Sequence, residues 1–284
     1  MRKVSGFTLI ELITTLVILT IVSIGISGFI RSSMGIFADV TEREQLLSDS
    51  RFVIERLTRD IRNAVPSSVR VAGNSNVHCL QLVPIDYSTF YLSAPILPST
   101  DTTLEVVEMG DIEGNAYVPA GFGTFAVIFP TRTQDVYDPS QGRRQDVLAC
   151  SDGGVDASCG TLDDPDNKAQ ITVDEAFATT SPADRVYFAS FAHSYCVRNG
   201  GVYFYRTETS PTQPVFTAGG EIMAEFVDNQ LSSNPRSQSA GSDDPFRIFD
   251  ASLLSNASVQ IRLRFERNDE VLNYNHEVHV TNVP

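Results

Sequence analysis

Glu11 stands where a carboxylate can do the most chemistry. It lies at the start of an apolar run, and no charged residue follows from Leu12 to Ile30. A carboxylate one turn into such a segment costs several kcal/mol unless it finds a partner. The chemistry it offers is charge pairing, with a cation brought to it in a medium of low dielectric constant. A lone interfacial Glu reaching for lipid headgroups is the plainer alternative. Arg2 and Lys3 precede the run.

Cys79, Cys150, Cys159 and Cys196 offer a second chemistry. They include no CxxC pair, and structural zinc usually needs tighter ligand pairs, so disulfides in an oxidising compartment are expected rather than a metal. Three connectivities are formally possible. Proximity in sequence favours Cys150 with Cys159, around Gly153 and Gly154, which leaves Cys79 with Cys196 in strand-like sequence.

Asp152, Asp156, Asp163, Asp164 and Asp166 cluster near the second cysteine pair. Oxygen-rich loops suit calcium, but Lys168 and a missing glycine break the EF-hand spacing, and a solvated acidic loop is expected. His276 and His279, three apart in a strand, face opposite sides; these two, His78 and His193 are expected to be ordinary surface or core histidines. No nucleophile, zinc-protease or phosphate-loop motif stands in a supporting context. The chain is expected not to be an enzyme and to need no cofactor or metal.

The elements that must position these residues follow from pattern. The run from Leu12 to Ile30 has about 19 positions, enough at ~1.5 Å each to cross most of a bilayer core. With cations before it and the long remainder after it, the N-terminus is expected in the cytoplasm and the rest outside. A secretory signal peptide fits less well, because the run is long and lacks a small-x-small cleavage site; an uncleaved single-pass anchor is the other alternative. Beyond Arg31, apolar or small residues recur at Ile36, Val40, Leu47, Ile54, Leu57, Ile61 and Ala64, one face of a helix that Pro66 stops. Charges of both signs, including Asp60, fill a face expected to be solvated. Residues 7 to 64 would span ~87 Å as one helix.

After Pro66 the pattern predicts strands near residues 77–83, 90–92, 104–108, 125–129 and 185–191. Hairpins are predicted at 194–206 and 259–280. Residues 135–168 are expected to form a long surface excursion stapled by Cys150–Cys159, and 229–245 a second loose stretch. The expected fold is α+β, a long N-terminal helix packed on antiparallel sheet. At 284 residues and 42 % hydrophobic content the chain can bury a sizeable core, and a formal charge of −14 disfavours a nucleic-acid partner.

The run Gly6-Phe7-Thr8-Leu9-Ile10-Glu11, after a short basic leader and before a long apolar helix, resembles the signal of type IV prepilins. The resemblance implies that a membrane prepilin peptidase cuts between Gly6 and Phe7 and that Phe7 becomes the N-methylated first residue. Glu11 then becomes the fifth residue of the mature chain and pairs with the new amino group during assembly. Losing Arg2 and Lys3 would take the formal charge to about −16, which suits a periplasmic or extracellular surface. Implied segments are a leader at 1–6, a membrane and filament-core helix at 7–30, its amphipathic continuation at 31–65, and a β-rich domain at 66–284.

Residues 49–64 resemble the helix end of the larger PilW-like and J-type pseudopilins, and residues 276–282 resemble that group too. The implied role is a minor subunit held in the inner membrane and then built into a pilus. Implied partners are other minor and major pilins through helix packing, the prepilin peptidase and the inner-membrane assembly platform. The family's capping subunit typically lacks the acid present here as Glu11. Where many major pilins carry a proline, this helix has Gly25 and Gly28. Alternatives are a J-type pseudopilin of a type II secretion system and a surface adhesin whose acidic loop binds ligand.

Overall fold

The structure, a computed structural model, describes residues 8–110, 115–119, 123–152, 159, 167–237, 242–249, 257–268 and 270–280. The chain is α+β: helix α1 spans Leu9–Arg62, and antiparallel strands follow. The chain divides into two compact units, Met1–Ser48 and Asp49–Pro284.

Among its described residues the first unit is helix. From Leu9 to Val40 its large apolar side chains are exposed on every face, Leu12, Ile24, Phe29 and Ile36 among them. A helix that is apolar all round needs lipid or other helices to cover it. Its most apolar 18-residue window has a mean hydropathy of 2.4, sufficient by length and composition to cross a membrane. Four hydroxyls inside the apolar run satisfy themselves. Thr14, Thr15, Thr20 and Ser27 donate to the carbonyls of Glu11, Leu12, Leu16 and Ser23 at 2.8–3.0 Å, which removes the cost of carrying hydroxyls into an apolar medium.

In the second unit the last turns of α1 bury Ser50, Val53, Ile54, Leu57 and Ile61, at steps of three, four or one. Ala64 and Val65 continue the buried line after the helix ends. The helix stops two residues before the expected Ala64 because the chain turns to pair with sheet: Ala64 bridges Pro84, and Val65 N donates to Val83 O at 2.8 Å.

Strands β1 (Arg70–Asn74), β2 (Val77–Leu82), β9 (Ala192–Arg198), β10 (Gly201–Thr207) and β11 (Glu221–Glu225) form an antiparallel sheet in the order β1-β2-β9-β10-β11. Arg198 pairs with Gly201 across the two-residue turn Asn199-Gly200. Both turn residues have positive φ, 46° and 72°, the geometry that matches hairpin twist and that Asn and Gly tolerate. A second antiparallel sheet has the order β12 (Phe246–Phe249), β13 (Ser258–Arg267), β14 (Glu270–His279).

The remaining six strands close a barrel, which the simple sheet expectation lacked. They are β3 (Tyr87–Ser93), β4 (Thr103–Val107), β7 (Lys168–Val173), β6 (Arg144–Asp152), β5 (Phe125–Ile128) and β8 (Arg185–Ala189), paired in that order with β8 returning to β3. Alternate residues such as Leu104, Val106, Ala126, Ile128, Ile171 and Phe188 fill its interior. The intervening Phe125, Val127 and Tyr187 pack outside against Val65, Val83, Val136 and Tyr137. Strands β5 and β8 are thus buried on both faces, which explains their unbroken apolar runs.

The expected surface excursion over 135–168 is corrected here. Asp135 is fully buried at the start of helix α2 (Thr133–Tyr137), and β6 occupies Arg144–Asp152. Asp135 accepts from Thr131 N, Thr131 Oγ1 and Arg132 N at 2.9–3.0 Å, and Arg132 and Arg143 supply positive charge at 3.4 and 3.7 Å. A carboxylate with this many donors is stable inside a domain although its type suggests a loop. Asp135→Ala orphans the donors, and we expect a loss of about 3 kcal/mol in chemical unfolding of the full chain.

Candidate functional site

Glu11 sits in the first turns of α1, on the exposed apolar helix. Thr8 Oγ1 approaches its Oε2 at 3.4 Å, a weak contact, and among the described residues no cation reaches it. Every other hydroxyl of the neighbouring turns closes a bond onto its own backbone, so Glu11 is the group left needing an external partner. Gly6 and Phe7, the expected cleavage and methylation residues, lie outside the described residues.

Small residues mark the same helix. Gly25 and Gly28 are exposed, and a Cβ added at either would meet nothing within 4 Å in this chain. No packing within the chain therefore calls for glycine at these positions. With Ser23, Ser27 and Ser32 they keep the small-residue spacing that lets a second helix approach closely.

The structure joins Cys79 to Cys196 and Cys150 to Cys159. Cys79 and Cys196 are direct cross-strand partners on β2 and β9, their Cα atoms 4.0 Å apart, and both are fully buried. Cys159 packs into the barrel interior, which Cys150 adjoins.

In the second unit a polar lock ties the end of α1 to the five-stranded sheet. Asp60 accepts from Tyr195 Oη at 2.5 Å and lies 3.2 Å from His193 Nδ1. Arg56 stacks over the Phe204 ring at 4.9 Å. Asp60 is thus not part of a freely solvated face, contrary to the expectation for the charged residues of this helix. Burial pushes its carboxyl up, but the hydrogen bonds from His193 and Tyr195 and the charges of His193 and Arg56 outweigh burial and hold it below the usual carboxylate range. The Tyr195 hydroxyl is pushed far up, by burial first and then by Asp60.

Pattern reading could not find this lock, because Asp60 and Tyr195 are 135 residues apart and neither type is unusual at its position. Because the folded Asp60 titrates below its unfolded value, its stabilisation is complete above the unfolded pKa of about 4 and is lost as pH falls through the lower folded value. We expect Tyr195→Phe to cost about 1–2 kcal/mol at pH 7 and to cost less at pH 3, measured by chemical unfolding of the full chain.

The histidines separate. His78 is fully buried, with Nε2 2.8 Å from Ser232 O and Nδ1 3.4 Å from Asp244, whose carboxylate also accepts from Ser232. His276 and His279 lie on opposite faces of β14. His276 is half-buried and lines a groove of about 830 Å³ beside Glu55, Thr58, Arg59 and Arg62 of the helix. His279 is exposed. Of the acidic cluster, Asp152 ends β6, and Asp156, Asp163, Asp164 and Asp166 lie outside the described residues.

Residues 1–27 match the family model described as the prokaryotic N-terminal methylation motif. That match supports a type IV pilin-like prepilin and is compatible with anchoring in a membrane by the single apolar helix. No curated protein and no solved structure matches the chain.

Proposed function

We propose that this chain is a minor pilin of a type IV pilus, a structural subunit that acts in pilus initiation or in the tip complex. Prepilin peptidase cuts it between Gly6 and Phe7 and methylates Phe7. Residues 7–30 hold it in the inner membrane with the N-terminus cytoplasmic, and the β-rich domain lies on the periplasmic side and then at the cell surface. The assembly platform lifts it out, and its helix packs among those of other minor and major pilins.

The observation that carries this reading is Glu11, a carboxylate that meets no cation among the described residues of an apolar helix, inside the stretch that matches the methylation motif. The new α-amino group has a usual pKa of ~8, so it is largely cationic near pH 7 and supplies the missing charge. About 220 residues follow the helix, bulky for the body of a uniform filament and suited to a specialised position. Residues 49–64 and 276–282 resemble the PilW and J-type group, and on that resemblance the chain is read as a subunit of the mannose-sensitive haemagglutinin (MSHA) type of pilus, similar to its minor pilin MshO.

Immunoblotting of sheared surface filaments tests the reading. The chain should appear in filaments from cells that contain prepilin peptidase and remain in the membrane fraction of cells that lack it. Filament incorporation independent of the peptidase would overturn the proposal.

A further inference from the structure

Strand β14 is one edge of the sheet β12-β13-β14, and it is ten residues long. The register shows which of its backbone groups are already used. On β13, the N–H groups of Arg262 and Glu266 donate away from β14, to the carbonyls of Pro245 and Phe226 at 2.8 Å. Hydrogen-bonding direction alternates along an antiparallel strand. Ile261, Leu263 and Phe265 therefore bond towards β14, where their partners are His276, Tyr274 and Leu272. The residues between those partners, Val271, Asn273, Asn275 and Glu277, turn their N–H and C=O groups outward. All four are exposed, and among the described residues no further strand pairs with them.

Exposed edges normally carry a safeguard against further pairing: lysine, proline, a bulge or short length. Strand β14 has no lysine or proline, and its ladder with β13 runs from Glu270 to His279 without a register shift. The opposite edge, β12, has only four residues. An open edge this long is a template for an added strand.

Space for that strand lies beside it. The inner face of the sheet meets the last turns of α1, where Ser50 Oγ donates to Tyr274 Oη at 3.0 Å. The groove of about 830 Å³ runs between His276 and Ile54, Thr58, Arg59 and Arg62 of the helix. Alternate side chains of an added strand point into it. Arg59 and Arg62 put positive charge on the helix wall. Glu55 offsets part of it, and Asp60 is already held by Tyr195 and His193. In a chain of formal charge −14 such a wall selects acidic side chains on the occupant.

A second copy does not suit the edge. Symmetric pairing of two β14 strands rotates one copy by half a turn about an axis perpendicular to the sheet. The two α1 helices then point in opposite directions, and both cannot enter one membrane from the same side.

We propose that β14 accepts an extended acidic segment of a different, neighbouring subunit as a fourth strand. The backbone of that segment bonds to Val271, Asn273, Asn275 and Glu277, and its acidic side chains meet Arg59 and Arg62. The identity of the partner as a neighbouring subunit rests on the minor-pilin reading.

Photocrosslinking in cells tests it, with benzoylphenylalanine in place of Asn275 in the full chain and mass spectrometry of the joined peptides. The crosslink should fall on an extended acidic segment of another subunit. Asn273→Pro deletes one outward N–H and breaks no bond to β13, so it should lower the yield at least tenfold. Asn273→Ala keeps that N–H and should leave the yield and the melting temperature level. Arg59→Gln combined with Arg62→Gln alters no strand and should lower the yield several-fold. No crosslink, a crosslink only to a second copy, or a yield that Asn273→Pro leaves unchanged would overturn the site. A crosslink to such a segment made by a chain that never enters filaments would keep the edge site and remove the minor-pilin reading. Filaments that contain the chain but give no crosslink at β14 would do the reverse.

Discussion

Glu11→Ala should leave the chain cut and inserted in the membrane but reduce its incorporation into filaments by about two to three orders of magnitude. In the proposed reading the peptidase recognises the segment around Gly6 and Phe7, which the substitution leaves unchanged. Incorporation is different. If cleavage frees the amino group of Phe7 as proposed, that group is largely cationic near pH 7, and moving it into a bundle of apolar helices leaves a buried charge unless a carboxylate meets it. Removing one partner of a buried pair costs about 3–5 kcal/mol, and each 1.4 kcal/mol is about tenfold in an equilibrium. Glu11→Gln separates charge from shape: it keeps the size and the hydrogen-bonding capacity, so it should fail nearly as badly as Ala. The ratio of chain in sheared filaments to processed chain in membranes measures the effect. Incorporation of either variant at the native level would show that Glu11 does not dock the subunit.

The second large effect concerns the two disulfides, which should differ in value. Cys79–Cys196 closes a separation of 117 residues, and Cys150–Cys159 a separation of 9. Chain entropy then assigns about 5 kcal/mol to the first and about 2–3 kcal/mol to the second. Replacing Cys79 and Cys196 together by Ala adds a packing loss, because both positions are fully buried between paired strands. A loss of this size approaches the whole stability of an ordinary domain. The Cys79/Cys196 double variant should therefore fold poorly at 37 °C, while the Cys150/Cys159 double variant folds with a lowered midpoint. Chemical unfolding of both, in the full chain under oxidising conditions, gives the comparison. Equal losses would mean that loop closure is not what these bonds contribute.

Much of the architecture was legible from pattern. The long helix followed from a charge-free run joined to an amphipathic one, and Pro66 marked its end to within a few residues. The hairpin at Asn199-Gly200 and the alternation of Val259, Ile261, Leu263 and Phe265 were plain strand signals, and these residues occupy β9–β10 and β13.

What pattern missed has physical reasons. Strand β6 opens on Arg144, Gln145 and Asp146, polar residues whose strand character comes from pairing with β5 rather than from their own preference. Asp135 reads as loop and is buried, because its donors come from the local turn at Thr131 and Arg132 and positive charge comes from Arg132 and Arg143, three and eight residues away. Barrel closure depends on β8 meeting β3, a contact between residues about 100 apart in sequence, and no local signal carries it.

The candidate site divides the same way. Glu11 stands out because one charge in an apolar run is conspicuous in one dimension. The lock of Asp60, His193 and Tyr195 exists only after folding, made of common residue types whose significance lies in what they touch.

Intact-mass and fragment mass spectrometry of the chain recovered from native membranes tests the central claim most directly. The account predicts an N-terminal peptide that starts at Phe7, carries one added methyl group on its α-amine and retains Glu11 unmodified. A chain that still begins at Met1, or one cut anywhere beyond Glu11, would contradict it.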